Sequence, residues 1–202
     1  MSRLTRKERQ ADTRRRLVHA AAQVGARRGI ARASLEEVAE TAGYTKGAVY
    51  ANFASKEELF LAVLDERFGE RLEQIERRLA SGDDPHAQAR QLGADFTQYF
   101  EGDREWARLF FEFAVHAARD EAFRAQLTAR YRALRERIAA ALQRRMDELG
   151  IEPPQPVADL ALMTFAMANG VALEAMLEPE EVPADLLGRM FELLTAGTGV
   201  PR

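Results

Sequence analysis

Cysteine is absent from these 202 residues, which excludes disulfides, thiolate zinc sites and iron-sulfur clusters. Histidine is nearly absent: His19, His86 and His116 stand far apart, without the His-Glu-x-x-His spacing of a catalytic zinc, so no metal is expected. No phosphate-cradling glycine loop and no nucleophile elbow occur either, so no catalytic residue, cofactor or enzymatic activity is expected. No apolar run approaches the roughly 18 to 20 residues that cross a bilayer. The basic first residues lead into Ala11, Asp12 and Thr13 rather than into a secretory signal. The expected location is the cytoplasm, away from membranes. Sustained period-two alternation rich in Val, Ile and Thr is missing too, which leaves an all-α fold.

What is present is unevenly distributed. Residues 1 to 62 hold 12 Lys and Arg against 7 Asp and Glu, leaving 17 against 25 in the remainder of a chain whose net charge is -3. A basic module joined to an acidic body points to a polyanion as partner of the first part alone, although an ordinary solvated face fits the same count.

Apolar residues recur at helical spacing almost throughout. Leu17, Ala20, Ala21 and Val24 line a first helix closing at Gly29; others open at Ser34 and Thr45. Ser55 to Glu58 has capping-box spacing, and Phe60, Leu64, Phe68, Leu72, Ile75 and Leu79 carry a fourth helix to about residue 80. That length, about 37 Å at 1.5 Å per residue, is enough to join two domains. Breaks follow at Ser81 to Pro85, Gly102, Asp120, Gly150 to Pro156 and Pro179 to Pro183. The helix from about 156 to 177 is apolar nearly all round and the last, around Leu186 to Leu194, is similar; both need cover from outside their own subunit.

Residues 34 to 53 satisfy the demands of a helix-turn-helix in order. Ser34 is placed to cap the Glu37 amide while the Glu37 carboxylate reaches back; Val38, Ala39 and Ala42 face inward; Gly43 makes the turn. Thr45 caps a short second helix held by Val49. Ser34, Tyr44, Thr45, Lys46, Gly47, Ala48 and Tyr50 are thereby the candidates to meet DNA, with Lys56 on the next helix as a phosphate clamp. An arm bearing Arg3, Arg6, Lys7 and Arg9 is a further candidate for the backbone or minor groove.

The run from Ser34 to Ala39, then Ala42 to Tyr50, then Asn52 to Leu59, resembles the DNA-binding domain of the TetR family over about residues 12 to 64. The resemblance implies about nine helices: an N-terminal three-helix DNA-binding domain, a C-terminal ligand-binding domain and a homodimer formed by the last two long helices. Two departures stand out. Gly25 replaces an aromatic late in the first helix, so Phe53 or Phe60 must fill the gap, and Asn52 replaces an aromatic after Tyr50, offering a hydrogen bond instead.

The expected division is 1–62 for the basic arm and helix-turn-helix, and 63–202 for effector binding and dimerisation. An apolar pocket with a few polar groups is sought among Phe96, Tyr99, Trp106, Phe110, Phe113, His116, Tyr131, Met163, Met167 and Asn169, with His116 and Asn169 as its polar tips. The resulting expectation is a transcriptional repressor that leaves a palindromic operator in double-stranded DNA when a small, mostly hydrophobic effector binds. A helical adaptor and a nonspecific DNA-binding protein are the alternatives.

Overall fold

The computed structural model describes residues 5–82, 84–153 and 155–196; Arg3 of the arm and Asp83 in the fourth-helix break lie outside the described residues. These residues form helices only: α1 (Arg6–Arg32), α2 (Leu35–Ala42), α3 (Lys46–Tyr50), α4 (Lys56–Leu79), α5 (Pro85–Gly102), α6 (Arg104–Ala117), α7 (Glu121–Leu149), α8 (Val157–Leu177) and α9 (Leu186–Ala196). They divide into two compact units. The first takes the chain up to Arg67 together with Arg108–Leu127, the second Phe68–Ala107 together with residues from Thr128 on. Helices α4, α6 and α7 each contribute to both.

In the first unit, α1 starts earlier than the arm reading supposes. Thr5 and Glu8 form a complete capping box, with the Thr5 amide donating to Glu8 at 2.6 Å and the Glu8 amide to the Thr5 hydroxyl at 3.2 Å. Arg6, Lys7 and Arg9 are therefore helical residues rather than a trailing arm. Leu17, Val18, Ala20, Ala21 and Val24 bury one face. A Cβ on Gly25 would lie 2.6 Å from Phe60 Cε1, so Phe60 fills the space the missing side chain leaves. Gly29 takes φ 75°, where only glycine is at ease, and interrupts α1 before a last turn. The Ile30 amide freed there donates to the Glu112 carboxylate at 2.7 Å.

The second unit is built on two apolar clusters. Leu72, Leu134, Ile138 and Ala161 join α4, α7 and α8, with Phe68 and Phe165 against them. Ala168, Val171 and Leu187 join α8 and α9, with Phe96 and Phe191 alongside. Helices α5 and α9 touch backbone to backbone: a Cβ on Gly93 would sit 2.2 Å from the Gly188 nitrogen.

By length and composition alone, helix α8 is long and apolar enough to cross a membrane, at a mean hydropathy of 1.6, although Asp159, Thr164, Asn169 and Glu174 interrupt any continuous apolar run. Leu162, Met163, Leu173, Met176 and Leu177 of α8 and Leu193 of α9 remain exposed in the single chain, Leu177 at 65% and Leu193 at 75%.

The glycine crossing generates a paired test. Gly93→Ala forces two backbones apart and is expected to destabilise the protein by about 3 kcal/mol, the upper end of overpacking costs. Gly69→Ala, with nothing within 4 Å of the added carbon, is expected to stabilise by roughly 0.5–1 kcal/mol. Denaturant unfolding midpoints check both, and equal effects of the two would contradict the close crossing.

Candidate functional site

The short helix α3 is held by local chemistry at both ends. Ser34 accepts from the Glu37 amide at 3.1 Å and starts α2. The Glu37 carboxylate, expected to reach back to Ser34, instead meets Arg28 of α1 at 3.3 Å, an ion pair that sequence spacing does not show. Gly43 ends α2 at φ 72°. The Gly43 amide donates to the Glu40 carbonyl at 3.1 Å and the Tyr44 amide to the Ala39 carbonyl at 2.8 Å, the paired bonds of a Schellman turn. Thr45 then caps α3 by accepting from the Ala48 amide at 3.3 Å.

Val49 is fully buried beneath this helix. Ser34, Thr45, Lys46, Gly47 and Tyr50 are exposed, Tyr44 and Ala48 half-buried. The Lys46 ammonium pairs with the Glu36 carboxylate of α2 and lies 5.8 Å from the Tyr50 ring centre. That hydrogen bond holds the Glu36 carboxyl below its ordinary pKa and raises Lys46 above its own. Six of the eight proposed DNA-facing residues, Tyr44 to Ala48 and Tyr50, thus lie on or immediately before α3, and Ser34 stands at the start of α2.

Lys56 is placed otherwise. Its ammonium donates to the Ala31 carbonyl at 3.1 Å and the Ala33 carbonyl at 3.4 Å, where it stabilises the end of α1. Asn52 folds back on α3, donating to the Ala48 carbonyl at 2.8 Å. Sequence reasoning missed Arg14, whose guanidinium donates to the Asn52 carbonyl at 2.7 Å and stacks 4.1 Å from the Phe53 ring centre. It sets a positive charge at the C-terminal end of α3, where the helix dipole favours one. The triple arginine at 14 to 16 was visible, but nothing local tied it to Asn52, 38 residues on.

The effector candidates divide between the two units. Phe110, Phe113 and His116 belong to the first unit, where Phe113 stacks on Phe123 at 6.2 Å and His116 meets the Phe123 ring edge-on at 4.6 Å. Helix α6 serves both units, and periodicity marks its buried face without saying which core receives it. Phe96, Tyr99, Trp106, Tyr131, Met163, Met167 and Asn169 lie in the second unit. There Tyr131 packs between Phe68 and Phe165, at 5.6 and 5.1 Å, and burial pushes its phenol pKa up to about 12. Met163 is exposed, while Met167 and Asn169 are half-buried.

Residues 17–63 match the profile of the family described as bacterial regulatory proteins, tetR family, and residues 85–196 that of the BetI-type transcriptional repressor, C-terminal. The chain is 30% identical over 180 residues to the uncharacterized HTH-type transcriptional regulator YfiR of Bacillus subtilis, spanning 85% of this chain and 83% of that one. In fold it is similar to the transcriptional regulator FadR from Bacillus subtilis in complex with stearoyl-CoA, with TM-score 0.73, 18% identity and coverage of 91% and 98%. It is also similar to SmeT bound to triclosan, with TM-score 0.68, 26% identity and coverage of 95% and 98%. SmeT is the repressor of the Stenotrophomonas maltophilia multidrug efflux pump SmeDEF.

The Glu36 and Lys46 pair yields a titration test. A lowered carboxyl pKa stabilises the fold above the unfolded value of 4.5 and loses that effect as pH falls; a raised ammonium pKa stabilises below 10.5 and loses it as pH rises. The pair is therefore intact across the range between. Carboxyl NMR is expected to place Glu36 below 4.5, and Lys46→Met to return it toward that value; an unmoved Glu36 contradicts the contact.

Proposed function

Because the chain belongs to the tetR family of bacterial regulatory proteins, we propose that this helix-turn-helix regulator is a homodimeric, cytoplasmic repressor released from its operator by a small effector. The observation that carries the reading is the exposed start of α3, capped by Thr45 and tethered through Val49. Such a helix presents small residues, hydroxyls and a lysine to the major groove while its amides favour phosphate.

In this reading Gly47 and Ala48 let α3 approach the base edges, and Thr45 and Lys46 supply polar contacts. Tyr50, Tyr44 and Ser34 reach phosphates. Glu36 keeps Lys46 in place until a phosphate takes over, a low-cost exchange between exposed partners. Lys56 has spent two of its three donors on backbone carbonyls and keeps one for DNA.

The exposed apolar residues of α8 and α9 support pairing with a second copy, since monomers rarely leave such contiguous surface uncovered. Two reading heads then engage half-sites about 34 Å apart or a multiple of that, on a partial palindrome. The effector site is proposed for the second unit, around Phe96, Tyr99 and Tyr131. An effector that binds the DNA-incompetent head spacing more tightly shifts the population away from the operator. SmeT, a repressor whose structure is also known in complex with triclosan, supports that mode.

Selection from a random DNA pool is expected to enrich a partial palindrome; binding with steep salt dependence but no enrichment would instead establish a nonspecific binder. Lys46→Ala is expected to weaken binding about tenfold on every sequence and lower the salt slope by about one. Leu177→Glu combined with Leu193→Glu is expected to sediment as a folded monomer with much weaker operator binding. A double variant that remains dimeric overturns the α8 and α9 interface.

A further inference from the structure

Among the described residues, Arg71 of α4 is the one charged side chain that is deeply buried, at 8% exposure. It donates from Nη1 to Gln74 Oε1 at 3.1 Å and from Nη2 to the Leu92 carbonyl at 3.4 Å. Its Nε is shut off from solvent and meets no acceptor among the described residues. Asp95, the acid whose field it feels, is already engaged by Arg78 at 3.0 Å and Gln91 at 2.8 Å. The rings of Phe96 and Tyr99 stand 5.2 and 5.8 Å from the guanidinium carbon.

A buried guanidinium is costly unless a counter-charge and good hydrogen bonds offset its lost hydration. Arg71 has two neutral acceptors, one of them long, and no paired carboxylate. Burial accordingly lowers its pKa, against the opposing influence of Asp95 and Tyr99. A side chain kept there for packing alone would be better replaced by an apolar one.

Two residues in contact with Arg71 lead outward. Gln74 and Tyr99 also line an open groove of about 510 Å³ between α4 and α5, whose walls include Arg77, Arg78, Ser81 and Asp95. Positions 71, 74 and 78 follow one another on a single face of α4, so Arg71 stands one turn before Gln74 on the same wall. Of the two arginines on these walls, Arg78 is met by Asp95 at 3.0 Å and Arg77 by the exposed Glu73 at 3.6 Å, which leaves Arg71 as the cation without a carboxylate partner among the described residues.

We propose that this face of α4 and α5 binds the anionic end of the effector, a carboxylate or phosphate monoester on a small organic body. The oxyanion takes the unpartnered Nε and the Nη2 hydrogen not given to Leu92, side by side, while Nη1 stays on Gln74, a bidentate geometry that lysine does not reproduce. The body of the ligand lies along the groove against Tyr99. The regulatory consequence of this site rests on the reading given above; the binding itself does not.

Octanoate, octyl phosphate and octanol share a chain and differ in the head group. Calorimetry on the full-length protein, with emission of the single tryptophan, Trp106, as a second readout, is expected to show an oxyanion binding at least tenfold more tightly than octanol. The stronger of the two oxyanions identifies the head group. Arg71→Met is expected to abolish the preference, leave octanol binding unchanged and keep or raise Tm, whereas a merely structural arginine would lower Tm when replaced. Should Arg71→Met fail to fold, Arg71→Lys decides: oxyanion binding weakened at least threefold with octanol unaffected supports the site, and unchanged binding overturns it. Absence of oxyanion preference in the wild type, or its survival in Arg71→Met, also overturns it. Operator binding without ligand separates the two readings. If the wild type selects no operator, the regulator reading fails while the oxyanion preference stands; if it selects an operator but binds the oxyanions no more tightly than octanol, the regulator reading stands and the anion site fails.

Discussion

A helix of five residues cannot hold itself together, because fixing its first turn costs several dihedral angles for a single hydrogen bond. The presence of α3 therefore depends on what surrounds it, and Val49, sealed beneath it, is the contact on which the remainder is arranged. The Schellman turn at Gly43 delivers the chain at the right angle, Thr45 satisfies an amide at the start, and Asn52 and Arg14 close the far end. Every side chain presented outward is oriented by contacts made inward. The first unit can thus expose a charged, mobile side chain such as Lys46 on a backbone that has no freedom of its own.

The second unit faces the reverse problem. Its last two long helices have more apolar surface than one chain covers, and its interior holds a cation that no acid neutralises. Both are departures from what a self-sufficient domain would contain, since exposed apolar patches and unpaired buried charges each cost stability. They are economical only if other molecules complete them, and they differ in chemistry: the first suits an apolar surface and the second an oxyanion.

Local chemistry was legible in the sequence and distant chemistry was not. Ser34, Gly43 and Thr45 act on residues within four positions, so their roles followed from spacing; the number of helices and the need for a neighbour to fill the space at Gly25 came from the family resemblance. Lys56 bonds backbone 23 and 25 residues earlier, Arg14 reaches 38 residues ahead and Glu112 reaches back 82, distances at which no periodic pattern survives. The same limit holds on α6, where an aromatic stripe on a helix does not say whose core it enters. Arg71 was passed over because a lone arginine in a helix looks solvated until its surroundings are known.

The contact between Gly93 and Gly188 bears on how unit two responds to a ligand. Side chains interposed between helices act as cushions, absorbing small displacements by changing rotamer. At this crossing there are none, so α5 and α9 are geared directly to one another. Leu92, whose carbonyl accepts from Arg71, is the residue immediately before Gly93. Between that carbonyl and α9 stands only backbone, with no side chain to take up a displacement, much as a rack meets its pinion.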